Sequence, residues 1–242
     1  MAIGGGEIGR PGYPVETMEL DAEVVRLTGK RRPRVVFLPT ATHDDPVYVA
    51  TVDEHYGQRL GCHVEALRLF DRSRSTTEIE RTIAAADIVY VGGGNTLRMM
   101  KLWRRRGVDR LLVRAAGAGT VLTGVSAGAI CWCAAGVSDS RSYTTRDDSW
   151  PYIAVRALGL VDVLLSPHHD TEPGRHDCLR RLVKRTRLVG LGLDDCTALQ
   201  VLDDRYRILS CRDGSVARRV DRSGTELDLP AHDDLRPFAE LA

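Results

Sequence analysis

No stretch of the 242 residues comes near the roughly 18–20 consecutive apolar residues that a membrane span needs. The first residues, Met1-Ala-Ile-Gly-Gly-Gly-Glu, contain neither a charged n-region nor an apolar h-region, so no secretory leader is expected and the reading is cytoplasmic. Lysine is scarce: Lys30, Lys101 and Lys184 are the only three, and arginine supplies the rest of a Lys+Arg total of 34. Asp+Glu number 33, which leaves a net charge of +1 and no global basic field to hold nucleic acid or an anionic membrane. The six cysteines (Cys62, Cys131, Cys133, Cys178, Cys196, Cys211) form no C-x-x-C pair, and their apolar or small neighbours mark them as reduced core residues. No H-E-x-x-H metal spacing occurs, and no G-x-G-x-x-G dinucleotide fingerprint extends from the loop Gly92-Gly93-Gly94.

What is present is a soluble globular composition, 43% hydrophobic and 28% charged, long enough for one α/β domain over residues 1–242. Apolar strand-like runs alternate with helical periodicity. Strands are expected at 2–3, 35–38, 64–69, 88–91, 120–123 and 163–165, with helices at 16–29, 46–60, 76–86, 96–106 and 108–117. Another helix is expected through Ala129-Ile130-Cys131-Trp132, carrying Cys131 and Cys133 on different faces. Residues 138–152 read as a long polar surface loop near the site, and the tail beyond about 200 as short strands with turns at Asp213-Gly214 and Ser223-Gly224. This rhythm implies a mostly parallel sheet with helices on both faces, whose chemistry gathers beyond the C-terminal strand ends. Those ends carry Gly4 to Gly6, Pro39 to His43, Gly92 to Asn95 and Gly124 to Gly128.

Gly124-Val-Ser126-Ala-Gly128 fits G-x-S-x-G, a sharp strand-to-helix turn that lifts a serine hydroxyl over the sheet and brings the next N–H, that of Ala127, beside it. The plainer alternative is an inert helix-capping serine. Gly92-Gly93-Gly94-Asn95 is a second backbone-rich loop, in which Gly94 N–H would be another oxyanion donor and Asn95 either caps the next helix or meets substrate. Pro167-His168-His169-Asp170, followed by Glu172 and His176, is the densest ionisable cluster; either histidine would serve as a base. A metal site is the weaker reading of it, and His176 is expected on an exposed helix face. His43, His55, His63 and His232 have no supporting company. Asp194 and Asp195 follow an apolar strand and would orient a histidine, with Asp139 as competitor and an ordinary Asp-Asp turn as alternative.

Six segments in order, Ala-Ile-Gly-Gly-Gly-Glu, Phe-Leu-Pro-Thr-Ala, Tyr-Val-Gly-Gly-Gly-Asn-Thr, Gly-Val-Ser-Ala-Gly-Ala, Pro-His-His-Asp and Gly-Leu-Asp-Asp-Cys-Thr-Ala, make the chain resemble the peptidase E/cyanophycinase family of serine peptidases over roughly residues 1 to 200. The resemblance implies a class I glutamine amidotransferase-like three-layer sandwich. It implies Ser126 as nucleophile, His168 as base, and Gly94 and Ala127 as oxyanion donors. Asp195 falls where cyanophycinase-like members have a Glu, and Asp139 lies near an Asp assigned in dipeptidase-like members; Asp195 is preferred. Dipeptidase-type members cleave after an N-terminal aspartate, so Asn95, Arg141, Arg146 and Arg175 are the candidate substrate-binding residues. The expected partner is a small peptide, with no cofactor, metal, nucleic acid or membrane; a homodimer is compatible with the sequence. The competing readings are an isoaspartyl or cyanophycin-type peptidase or an esterase-like hydrolase at the same site, a ligand-binding module without catalysis, and a metal-dependent amidohydrolase.

Overall fold

A computed structural model describes residues 1–143 and 151–241. Five parallel strands form the centre: β1 (Ala2–Ile3), β2 (Arg34–Leu38), β3 (His63–Ala66), β4 (Ile88–Val91) and β5 (Val121–Val125), in spatial order β1-β5-β4-β2-β3. The remaining strands are β6 (Cys133–Ser138), β7 (Ile153–Arg156), β8 (Val161–Ser166), β9 (Val189–Leu193), β10 (Thr197–Leu202), β11 (Arg205–Ser210), β12 (Ala217–Val220), β13 (Glu226–Leu229) and β14 (Arg236–Pro237). Strands β10, β11 and β14 extend the first sheet antiparallel from β1. A second, mixed sheet runs β13-β12-β9-β8-β6-β7. The helices are α1 (Met18–Leu27), α2 (Pro46–Val52), α3 (Thr76–Ala84), α4 (Thr96–Arg106), α5 (Val108–Gly117), α6 (Ala127–Ile130) and α7 (Arg175–Val183).

The fold class is α/β, and the central strands show why they read as unbroken apolar runs. Successive side chains of a strand point to opposite faces. Val36, Leu38, Val89 and Val91 pack with α3, α4 and α5, while Val35, Phe37, Ile88 and Tyr90 pack with α1 and α2. Both faces are covered, so Val35 to Leu38 and Ile88 to Val91 are apolar throughout. Local chemistry sets the helix limits. Ser75 and Glu78 form a reciprocal capping box at α3, and α4 runs from the Asn95 cap to Gly107, which stops it at φ 71°.

Three expectations need correction. The helix expected over 46–60 is α2 followed by a wide π-type turn, Asp53–Arg59. That widening turns both His55 and Tyr56 inward onto Asp21 of α1, whose carboxylate lies 2.9 Å from His55 Nε2 and accepts Tyr56 O–H at 2.5 Å. His55 therefore does have company. The helix after Ser126 is a single turn that ends at Ile130; Cys133 already begins β6, because pairing with β7 and β8 outcompetes extension of so short a helix. The strand expected to reach residue 69 ends at Ala66. All six cysteines are free thiols; five are buried and Cys211 is half-buried. Among the described residues, no helix is long and apolar enough to cross a membrane.

Candidate active site

The C-terminal ends of β1, β2, β4 and β5 open onto a cavity of about 680 Å³ whose wall includes Gly93, Gly94, Ser126, His168 and Asp195. Ser126 occupies the junction of β5 and α6 with φ 56° and ψ −111°, outside the basins that non-glycine residues ordinarily adopt. Its carbonyl accepts the first helical N–H groups, those of Ala129 and Ile130 at 3.0 Å, but its side chain makes no capping hydrogen bond. The inert-cap alternative is thus set aside: the residue is strained and its hydroxyl does not serve the helix. The flanking glycines have a steric cause. A Cβ on Gly124 would lie 2.6 Å from Val91 O, and one on Gly128 would lie 2.0 Å from the same atom. Only bare backbone lets the turn pack this tightly onto β4.

His168 follows β8 with φ 49°, and its N–H donates to Gly4 O at 3.3 Å. Its Nδ1 lies 2.7 Å from Asp195 Oδ1. A proton shared on that side leaves Nε2 as the acceptor, the arrangement a general base requires. Asp195 is fixed in turn: Oδ2 accepts Thr171 O–H at 3.2 Å, and its N–H donates to Asp170 Oδ1 at 2.9 Å. Arg212 holds Asp170 through an ion pair. Burial pushes the Asp195 carboxyl up, but the hydrogen bonds and charge of His168 and the Thr171 hydroxyl outweigh it and hold the carboxyl below its usual range. Asp194 faces the other way, accepting Val216 N–H at 3.0 Å, and burial raises its carboxyl. Asp139 lines the cavity, its carboxyl also pushed up by burial.

The ionisable cluster around residue 170 disperses. His168 goes to Asp195, Asp170 to Arg212, and Glu172 to Arg175. His169 is buried and stacks on His176 with ring centroids 3.8 Å apart, so His176 is not on an exposed face as expected. Burial, with the charges of His176 and Arg218, lowers His169 to about 3. Among the described residues, no three His, Cys, Asp or Glu side chains are placed to hold a metal.

The expected substrate-binding residues fare differently. Asn95 is a cap: its Oδ1 accepts Arg98 N–H at 2.9 Å and its Nδ2 donates to Ser140 O at 3.2 Å. Arg175 is 2% exposed, not a surface residue, and its guanidinium is taken up by Glu172 and by Val137 O at 2.8 Å, with Tyr152 beneath it. Both are committed to structure because each tethers the segment near residue 140 to a helix. Arg141 is exposed and lies off the cavity wall, and Arg146 falls outside the described residues. Among the described residues the arginine on the wall is Arg10, paired with Glu7 and set over the Tyr13 ring at 5.2 Å. Opposed to it are Glu16, Asp45, Asp139 and Glu172, so the wall is predominantly acidic. Arg10 follows the first strand end, and that position was the one signal that could have found it. Gly5 was another miss, since it is the space for the His168–Asp195 pair that its missing Cβ provides.

Residues 1–209 match peptidase family S51. The uncharacterized peptidase YgaJ of Bacillus subtilis is 34% identical over 224 residues, which span 91% of this chain and 90% of that one. Peptidase E of Streptomyces coelicolor is 28% identical, covering 77% of this chain and 75% of its own. Among solved structures, a peptidase from an acI-B1 Actinobacterium superposes with a TM-score of 0.70 at 18% identity, over 98% of this chain and 95% of the other, a likeness of fold.

Proposed function

The chain belongs to peptidase family S51, and on that premise we propose that it is a serine peptidase that hydrolyses small Asp-containing peptides of the N-terminal Asp-Xaa type through an acyl-enzyme on Ser126. The observation that carries the reading is the strained, uncapped Ser126 on one cavity wall with a His168–Asp195 pair closed at 2.7 Å.

In this mechanism Ser126 Oγ attacks the scissile carbonyl while His168 Nε2 takes its proton. Asp195 keeps the proton of the imidazole on Nδ1 and stabilises the imidazolium. The N–H groups of Gly94 and Ala127 receive the oxyanion, each worth about 3 kcal/mol of transition-state stabilisation. His168 then protonates the leaving amine, and water, deprotonated by the same ring, hydrolyses the acyl-enzyme. Among the described residues Arg10 is the arginine on the wall, and it can meet an aspartyl carboxylate by exchanging its contact with Glu7.

A second reading at the same serine, an isoaspartyl or cyanophycin-type peptidase, is supported by the acidic wall. Glu16, Asp45 and Asp139 favour a substrate that carries positive charge beside the aspartyl residue. A panel of Asp-Xaa, β-Asp-Xaa and neutral dipeptides, with Xaa acidic, neutral and basic, separates the two. Hydrolysis of α-linked Asp-Xaa that is lost in Ser126→Ala supports the first; turnover confined to β-linked substrates supports the second. A serine-directed fluorophosphonate should label the wild type and not Ser126→Ala. Turnover that survives in Ser126→Ala overturns both.

A further inference from the structure

The loop Gly92-Gly93-Gly94-Asn95 passes over Ser126; its glycines are pinned by the neighbouring segment 41–48, and Asn95 also reaches Ser140 O. A Cβ on Gly93 would lie 3.4 Å from Ser126 Cβ and 3.9 Å from its Oγ, so the Gly93 backbone is what faces the serine. Asn95 N–H donates to Ala41 O at 2.9 Å. Gly93 N–H donates to the Tyr48 hydroxyl at 3.3 Å. The Tyr48 ring lies flush against Gly92, where a Cβ would come within 2.5 Å of its Cε1. The ring is itself held edge-on by Phe37 of β2, centroids 5.2 Å apart, and its helix starts at the Asp45 cap. Three consecutive glycines are the loosest backbone a chain can offer, and nothing in their own chemistry fixes which way the peptide N–H groups point. An oxyanion donor is effective only when it is already aimed before the charge develops.

We propose that Tyr48 is the positioning residue of the oxyanion loop: by accepting Gly93 N–H it commits that donor, fixes the peptide that follows, and leaves Gly94 N–H as the donor aimed at the acyl oxygen. The catalytic part of this inference rests on the Ser126 reading, whereas the clamp itself does not. Burial pushes the Tyr48 phenol up, so the hydroxyl stays neutral and keeps accepting throughout the working pH range.

The test is Tyr48→Phe, which keeps the ring against Phe37 and Gly92 and deletes only the acceptor. On the best dipeptide of the panel, kcat should fall about 10- to 100-fold with KM within about twofold, because the lost effect belongs to the transition state. Amide hydrogen exchange in a peptide covering 92–95 should speed up by about five- to tenfold, as expected for one lost hydrogen bond, while a peptide within 98–106 stays as in wild type. Tyr48→Leu, which removes ring and acceptor together, should lose at least as much of both; if the phenylalanine variant does not fold, Tyr48→Leu against wild type carries the same comparison. The proposal needs both changes together: wild-type kcat, wild-type exchange, or a rise in KM alone overturns it. Should Ser126→Ala retain turnover, the serine mechanism has failed on its own, and the exchange measurement still decides whether Tyr48 clamps the loop.

Discussion

His168 Nδ1 and Asp195 Oδ1 meet at 2.7 Å in space that exists because residue 5 has no side chain. A Cβ on Gly5 would lie 1.8 Å from Asp195 Oδ1 and 2.4 Å from His168 Nδ1. The clashing atoms are side-chain ends, so Gly5→Ala should fold and yet separate the pair. A displacement of about 1 Å at a reacting group costs on the order of a hundredfold. Gly5→Ala should therefore lose at least about that much kcat/KM with little change in melting temperature. Wild-type kinetics in a folded Gly5→Ala would show that the contact is not used in catalysis.

Asp195→Asn keeps the volume but presents an amide. An amide N–H donated to Nδ1 places the imidazole proton on Nε2, the wrong side for a base. The expected loss in kcat is about 10³- to 10⁴-fold, against a loss below about tenfold for Asp194→Asn, whose carboxylate holds Val216 N–H. The Asp195 carboxyl is held below its usual range in the folded state, so it also contributes stability that is present above the unfolded value near 3.9 and lost as pH falls through the folded one. Urea titrations below pH 4 should show a shallower acid loss in Asp195→Asn than in wild type. Matching acid limbs would contradict that linkage.

Much of the site was legible because its signals are local. The elbow at Ser126 is a strand, two glycines and a serine within a few residues, and α4 matched its expected limits because Asn95 and Gly107 mark both ends chemically. What could not be read depends on packing between distant segments. His168 and His169 are neighbours with similar prospects until the backbone sends one to Asp195 and the other beneath His176. Asp194 and Asp195 diverge for the same reason. The division of strands into two sheets is a matter of which distant strands pair, β6 with β7 and β8 rather than with the first sheet, and no local pattern encodes it. Arg175 reads in the sequence as a candidate for the substrate carboxylate; its commitment to a carbonyl 38 residues away in sequence is not a local signal.

The two histidines should separate by what their loss damages. His168→Ala should abolish turnover and cost stability only through the lost contact with Asp195. His169→Gln should cost about 1–3 kcal/mol of stability and keep most activity, since His169 is a buried packing residue whose Nδ1 is 3.2 Å from Ser166 Oγ. The pH dependence has a definite sign. Lowered to about 3 in the fold, His169 stays neutral there, while the unfolded chain protonates it below about 6.5. Its contribution is therefore present above pH 6.5 and falls as pH drops from there toward 3, by up to about 1.4 kcal/mol per unit. Unfolding midpoints at pH 7, 6, 5 and 4 should show a smaller decline for His169→Gln than for wild type. Parallel declines would mean that His169 charges freely in the folded state.

The backbone at Ser126 makes a prediction in which stability and activity part ways. With φ 56° and ψ −111° the residue sits where a β-carbon is crowded, at a cost on the order of 1–3 kcal/mol. At an ordinary position, replacing alanine with glycine destabilises by about 0.5–1 kcal/mol, because glycine has more freedom to lose on folding. At 126 the order should reverse: Ser126→Gly should be more stable than Ser126→Ala by about 1 kcal/mol, since glycine relieves the crowding and alanine keeps it. Both variants lack the hydroxyl and should be inactive. Denaturant midpoints of the pair measure the strain directly, with the chemistry removed from each. If alanine proves equal or better, the turn is relaxed, and the reactive posture of the serine must come from His168 and the Gly92–Asn95 loop instead.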